Sequence, residues 1–341
     1  MTRGTPKVSV CVPTYNRAPL LRGCLESILA QTFDDFELLV LDNCSTDETP
    51  AMIRDVRDPR LVAHRNARNI GPFPNMNLAI EMARGELICI AHDDDVYLPT
   101  FLEREVALLE SHPGVGMVHC AAFETDAAGR RRRVVRSYPD TRVLAGPQQF
   151  IRFLQGHNVC CSTVMARRDL YARVGGFDPR YLCADWHLWL RMALHADIGY
   201  VSEPLVEMRV HADTVTSWLD PARWHREFVA IVEESLAVAS KGDPSLPVRR
   251  PALLRTAACA QGRRFLIAAL AASARGEPEL ARGYIDVLRE LQALGLPRAY
   301  ALAARALTHR MSAPVLALAV RVRAAVARRA VAAASGSPAR P

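Results

Sequence analysis

Leu87-Ile88-Cys89-Ile90-Ala91, running straight into His92-Asp93-Asp94-Asp95, is the stretch that decides the fold. Five apolar residues without a break read as a strand buried on both faces, which is how strands of a parallel sheet read. The three carboxylates after it repel one another and raise their own pKa values unless a cation or partners offset them. Hard oxygen ligands of this kind suit Mg²⁺ or Mn²⁺, usually held by one or two carboxylates together with substrate phosphates. The competing reading is an acidic helix N-terminus ahead of Pro99, which the helix dipole favours. Position separates the two, because α/β sheets bind ligands at the carboxyl ends of their strands.

Working outward, strand-like and helix-like runs alternate through the first half of the chain. Lys7–Val12, Phe36–Leu41, Leu61–His64 and Leu87–Ala91 read as strands. Between them, Ala18–Gln31 carries Leu20, Leu21, Cys24, Leu25, Ile28 and Leu29 at helical spacing, and Asn75–Ala83 is the next clear helix. Another helix runs from Pro99 to about Ser111. This alternation predicts a mainly parallel α/β sheet with helices on its faces. Further strands are expected at Val115–Ala121 and Ser162–Ala166, with a short helix at Gln148–Leu154 and a turn at Asp126–Gly129. That turn leads into Arg130–Arg133, read as a solvated hairpin arm in preference to a phosphate site. Past about Ser217 the chain turns Ala-rich and helical, with Pro/Gly breaks. The expected division is an α/β domain over 1–215, an all-α domain over 216–334 and a flexible tail over 335–341.

Composition narrows the classes. With 341 residues, 50% hydrophobic and 23% charged, the chain can bury a sizeable core. The formal net charge is +7, yet eight arginines and no acidic residue follow Leu291, so residues 1–290 are close to neutral. No nucleic-acid partner is expected for the first domain. The basic Ala/Val/Leu-rich end could touch an anionic bilayer, or equally face solvent or another subunit. Nine cysteines, an odd number with no C-x-x-C pair, read as buried free thiols in a reducing cytoplasm. The start of the chain reads as lacking a signal peptide, and no apolar stretch approaches the ~20 residues of a membrane span.

No P-loop and no G-x-G-x-x-G follows a strand. Polar clusters stand at the strand ends instead. After the first comes Pro13-Thr14-Tyr15-Asn16-Arg17, whose tyrosine can stack on a base and whose Asn and Arg can meet base edges or phosphate. After the second comes Asp42-Asn43, a hydrogen-bond acceptor for a base N–H or a ribose hydroxyl. Both also read as turn and cap chemistry.

Several of these motifs, in order, resemble family 2 glycosyltransferases: Val12-Pro13-Thr14-Tyr15-Asn16-Arg17, Leu41-Asp42-Asn43-x-Ser45-x-Asp47, and Arg84-Gly85-Glu86-Leu87-Ile88 leading into Asp93-Asp94-Asp95-x-x-x-Pro99. Gly175-Gly176-Phe177-Asp178 and Ala184-Asp185-Trp186-His187-Leu188-Trp189-Leu190-Arg191 continue the match, which covers residues 6–215. The resemblance implies a GT-A-type fold and inverting transfer of a sugar from a nucleotide diphosphate donor, with a UDP-sugar favoured, to an acceptor hydroxyl. The acceptor would be a sugar, lipid-linked glycan or other hydroxyl compound in bacterial polysaccharide, glycolipid or glycoconjugate synthesis. It further implies Mn²⁺ or Mg²⁺ as cofactor and work in the cytoplasm, either free or peripheral at the inner face of the membrane.

Carried over by position, Pro13, Thr14, Tyr15, Asn16, Arg17, Asp42, Asn77 and Asp93 would face the donor. Asp94 would hold the metal with His211, and Asp185 would be the catalytic base. Gly176 and Trp186 would stand on the acceptor side, where Trp186 and Trp189 could form a sugar-stacking wall or belong to the core. Three positions depart from the pattern: His92 opens the acidic motif, Met76 stands where many members carry a donor-contacting Arg, and Ala184 precedes the base. A nucleotidyltransferase would need a Gly-rich triphosphate loop after the first strand, where Pro13–Arg17 has no glycine. A non-catalytic nucleotide-sugar sensor would bind the nucleotide without transfer.

Overall fold

A computed structural model describes residues 4–156, 159–210, 220–242, 246–297 and 299–300. The chain opens with β1 (Val8–Thr14), α1 (Ala18–Leu29), β2 (Phe36–Asp42), α2 (Thr49–Asp55), β3 (Leu61–Arg65), α3 (Pro72–Met82) and β4 (Leu87–Ile90). There follow β5 (Val96–Tyr97), α4 (Phe101–Ser111), β6 (Val115–Thr125), β7 (Arg131–Val135), β8 (Arg142–Leu144), α5 (Gly146–Leu154) and β9 (Val164–Arg167). Then come α6 (Arg168–Val174), α7 (Ala184–Ala193), β10 (Asp197–Arg209), α8 (Pro221–Gly242), α9 (Leu246–Ala274) and α10 (Pro278–Glu290).

The sheet runs β3-β2-β1-β4-β9-β6-β10-β5. Its first four strands pair in parallel, as the alternating pattern predicts. Val8, Val10 and Val12 of β1 and Leu38 and Val40 of β2 are buried, and α1 lays Leu21, Leu25 and Ile28 into the same core. β9 enters antiparallel between β4 and β6, and β10 lies parallel to β6. The sheet is therefore mixed, with six strands of that path pointing one way. The Arg130–Arg133 segment does enter a hairpin arm, β7, antiparallel to β6. Its arginines pair with Asp126, Glu124 and Glu207 of the same arm and neighbouring strand.

β10 escapes a sequence reading. Its middle, Ser202-Glu203-Pro204, breaks both the apolar run and the alternation, and the pairing with β6 shifts register on both sides of Pro204. Proline within a sheet is confined to such irregular or edge positions.

The described residues group into two units. The first comprises residues 1–219 with 227–248, and the second 220–226 with the chain from 249. The division falls within α8, most of which packs in the first unit.

Candidate active site

Thr14, Asp42 and the acidic stretch after β4 meet at one edge of the sheet because β1 pairs with both β2 and β4 in parallel register. Thr14 Oγ1 donates to Asp93 Oδ2 at 2.7 Å. Pro13 is half-buried opposite Leu41, and Tyr15 is 43% exposed, so its ring is open to a ligand. Asn16 takes a left-handed φ of 53°, which asparagine tolerates better than most residues. Its side chain accepts from the Thr46 amide at 2.7 Å, tying the turn after β1 to the turn after β2.

Asp42 is buried and fully engaged. Oδ1 accepts from the Ser45 amide at 2.8 Å, and Oδ2 accepts from the Arg65 guanidinium. Arg65 also donates to the Ser45 carbonyl at 2.8 Å. Beside it, Asn66 donates to Asn43 at 2.9 Å and to Asn75 at 2.8 Å, while Asn75 donates to the Leu41 carbonyl. This amide network fixes the ends of β2 and β3.

The three carboxylates of the acidic loop have different surroundings. Burial pushes Asp93 up to about 6, although Thr14's hydroxyl pulls the other way. Asp94 Oδ2 accepts from Arg17 Nη1 at 2.7 Å. Asp95 is held from two sides: Oδ2 accepts from Ser162, and Oδ1 from the Arg209 amide at 2.8 Å. Burial raises its pKa as well, against the nearby His92. Arg209 also donates from Nε to the Asp94 carbonyl at 3.1 Å. Asp95 is thus an anchor joining the acidic loop to β10.

Asp185 lies half-buried in the first turn of α7, where Oδ1 accepts from the Trp186 amide at 2.7 Å. It belongs to the same neighbourhood as the acidic loop. Burial pushes the Cys160 thiol up to about 12, and the charges of Asp95 and Asp185 both add to that shift.

The loop leading to α7 is clamped. Asn77 donates to the Phe177 carbonyl and accepts from the Phe177 amide, both at 2.8 Å. A Cβ on Gly176 would come 2.2 Å from Asn77 Oδ1, so any larger residue there must displace the Asn77 amide. Arg191 donates to the Val174 and Gly176 carbonyls. Glu227 of α8 accepts from the Leu182 amide at 2.7 Å, just ahead of the helix.

Comparison with known proteins adds a second line of observation. The family model Glycosyl transferase family 2 matches residues 9–175. A PGL/p-HBAD biosynthesis glycosyltransferase of Mycobacterium bovis is 31% identical over 192 residues, covering 54% of this chain and 69% of the relative. The chain belongs to the family 2 glycosyltransferases. An uncharacterized protein of Mycobacterium tuberculosis is 33% identical over 62% of this chain and 70% of the relative. Among solved structures, S. aureus TarS 1-349 in complex with UDP-GlcNAc has a TM-score of 0.56 at 19% identity, covering 84% of this chain and 92% of that one. The mannosyltransferase PcManGT from Pyrobaculum calidifontis, in complex with GDP-Man and Mn²⁺, has a TM-score of 0.50 at 23% identity over 92% and 87%. These likenesses establish a GT-A-type fold.

In this glycosyltransferase several expected residues stand elsewhere than the sequence suggests. Trp186 is 2% exposed, stacks on Phe228 with ring centroids 5.5 Å apart, and donates from its indole N–H to the Phe153 carbonyl at 2.8 Å. Trp189 is 1% exposed. Neither indole forms an open wall, because both complete the packing under α7. Asn77 spends its amide on the Phe177 backbone and so positions the loop before Asp185. His211 lies outside the described residues.

Arg65, Ser162, Arg209 and Glu227 were not visible as site residues in the sequence. Arg65 had a usable signal, since parallel register places it directly opposite Asp42. The other three reach the site from far along the chain, without a local pattern.

The donor set fits a hard divalent cation. Three carboxylates stand in one short loop, and Asp94 Oδ2 accepts from the partly exposed Arg17 guanidinium.

Proposed function

We propose that the enzyme transfers a sugar from a nucleotide diphosphate donor, with a UDP-sugar favoured, to an acceptor hydroxyl with inversion. The observation that carries this reading is the single edge that gathers Tyr15, Thr14 and Asp42 with the acidic loop.

The open face of Tyr15 would take the base, and Asp42, Thr14 and Asp93 the base and ribose edges. Arg17 and Asn16 would sit beside the diphosphate. Asp94 would hold Mn²⁺ or Mg²⁺, with His211 as a further ligand, and the bound ion would supply positive charge to the departing diphosphate. Asp185 would accept the proton of the acceptor hydroxyl. The oxygen's electron pair then forms the new bond to the anomeric carbon from the face opposite the nucleotide. The bond from that carbon to the diphosphate oxygen breaks in the same displacement, and the pair leaves with the nucleoside diphosphate. Gly176 would lie on the acceptor side. The ligands named for TarS and PcManGT, UDP-GlcNAc and GDP-Man with Mn²⁺, support the donor class, and the Mycobacterium bovis relative, named for PGL/p-HBAD biosynthesis, supports a role in glycoconjugate synthesis.

A thermal-shift panel of UDP, GDP, CDP and dTDP with and without Mn²⁺ tests this, since ligands that bind only the native state raise its melting temperature. A rise with one diphosphate that grows with Mn²⁺ is expected. No response to any of the four would reject the reading.

No helix among the described residues is long and apolar enough to cross a membrane. Contact with an anionic membrane face through the basic end of the chain remains part of the proposal, although that end lies outside the described residues. Removing residues from Leu296 onward should weaken binding to anionic liposomes, and unchanged binding rejects the contact.

A further inference from the structure

His187 is buried in α7 without a hydrogen bond at either ring nitrogen. The residue is 5% exposed, and Nδ1 has no partner among the described residues. Nε2 faces Glu234 Oε2 of α8 from 3.7 Å, which is longer than a hydrogen bond. Burial pulls the imidazole down to about 4, so near neutral pH the ring is uncharged and carries a lone pair. Asp178, in the turn before α7, brings a second carboxylate. One ligand atom from each of Asp178, His187 and Glu234 lies within 4.8 Å of the other two. All three residues belong to the first unit. The cation now serving both carboxylates is Arg180. Its Nη2 donates to Asp178 Oδ2 at 2.6 Å and to Glu234 Oε2 at 3.2 Å, and its Nη1 donates to Glu234 Oε1 at 3.1 Å. That side chain is 62% exposed, so water weakens its hold.

We propose that Asp178, His187 and Glu234 form a zinc site that ties the turn before α7 to α8. An uncharged imidazole with two carboxylates is a nitrogen–oxygen donor set, and the imidazole directs such a set to Zn²⁺ over Mg²⁺ or Ca²⁺. Nε2 is the ring nitrogen that faces the carboxylates, so it is the ligand. Three protein ligands leave a fourth tetrahedral position for water. A buried polar group without a partner calls for an explanation, and an ion between His187 and the carboxylates supplies one for Nε2. Zn²⁺ there would take carboxylate oxygens that Arg180 now bonds, so the guanidinium and the ion compete. None of the three residues has a part in the donor, metal or acceptor assignments above, so the site neither needs nor replaces an ion at Asp94.

The test titrates the full-length protein with Zn²⁺ against a chromophoric zinc indicator and records melting curves with and without the ion. Wild type should bind Zn²⁺ and melt higher with it, since the ion binds the native state. Glu234→Gln should weaken binding at least about tenfold, a loss that even outer-shell partners of a metal cause. Arg180→Met should bind Zn²⁺ about fivefold more tightly, because it removes the competing cation of an exposed ion pair. Among the described residues one other group has ligand atoms as close, His92, Asp95 and Cys160, and Cys160→Ala controls for it. That variant should keep the wild-type affinity. Should Glu234→Gln fail to fold, the exposed Arg180→Met decides alone. No Zn²⁺ uptake by wild type overturns the proposal. So does uptake that is lost in Cys160→Ala, or uptake that Glu234→Gln and Arg180→Met leave unchanged.

Discussion

Asp185 and Glu105 are both carboxylates on helices of the first unit, and their surroundings give them opposite chemistry. Asp185 is half-exposed near the acidic loop. Replacing it with Asn keeps an acceptor for the Trp186 amide but removes the proton acceptor. Transfer should fall by roughly 10²–10⁴-fold, the typical worth of a general base, while nucleotide binding stays within a few-fold. Turnover close to wild type in Asp185→Asn would refute the assignment. Glu105, on α4, is 0% exposed, and the polar group beside its carboxylate is the buried Cys120 thiol. Burial holds its pKa well above the usual carboxylate range. A raised folded-state pKa contributes stability that is fully present below the unfolded value of about 4.5 and is lost as pH rises. That loss runs at up to about 1.4 kcal/mol per pH unit. Glu105→Met should therefore melt higher than wild type at pH 7.5, with the gap narrowing at pH 5. A gap that does not depend on pH would show that packing, and not protonation, governs the site.

At the scale of elements, the turn before α7 is set by contacts rather than by local propensity. Gly176→Ala puts a methyl against Asn77 and should cost about 1–3 kcal/mol, as overpacking does. Removing the obstacle with Asn77→Ala should recover part of that loss, so a double-mutant cycle should be clearly non-additive. Because the turn leads to Asp185, Gly176→Ala should lower turnover more than nucleotide affinity, and the reverse ordering would argue against the link. The elements themselves were largely legible. Periodicity located β1 to β4 and α1 to within a few residues, because apolar runs and helical stripes report burial directly. The strand-end clusters were legible because parallel topology dictates where ligands go. Trp186 was not, since an aromatic beside a candidate base reads alike whether it faces a sugar or Phe228. The clamp that Asn77 makes on Phe177 was hidden for a related reason: an amide says nothing about which backbone it will meet a hundred residues away. β10 was hidden by Pro204 and the register shifts around it.

For the molecule as a whole, the first unit does not end where the α/β pattern ends. Phe228 is 2% exposed against Trp186, Glu227 accepts from the Leu182 amide, and Glu234 bonds Arg180 and Tyr181. Phe228→Ala in the full chain should cost about 3–5 kcal/mol in denaturant unfolding, as for other buried aromatics. A chain ended after residue 215 lacks all three contacts and should melt well below one ended after residue 248. Equal melting of the two would show that α8 is dispensable to this unit.

The antiparallel placement of β9 also bears on how the protein is made. β4 and β6 each pair with β9, which leaves the ribosome after both of them. Until residue 167 has emerged, a growing chain carries two strands whose facing edges have no mate, and open apolar edges invite pairing between molecules. Translation pauses or truncations before that residue should yield aggregating nascent chains that depend on chaperones, whereas interruptions after β10 should leave the sheet closed.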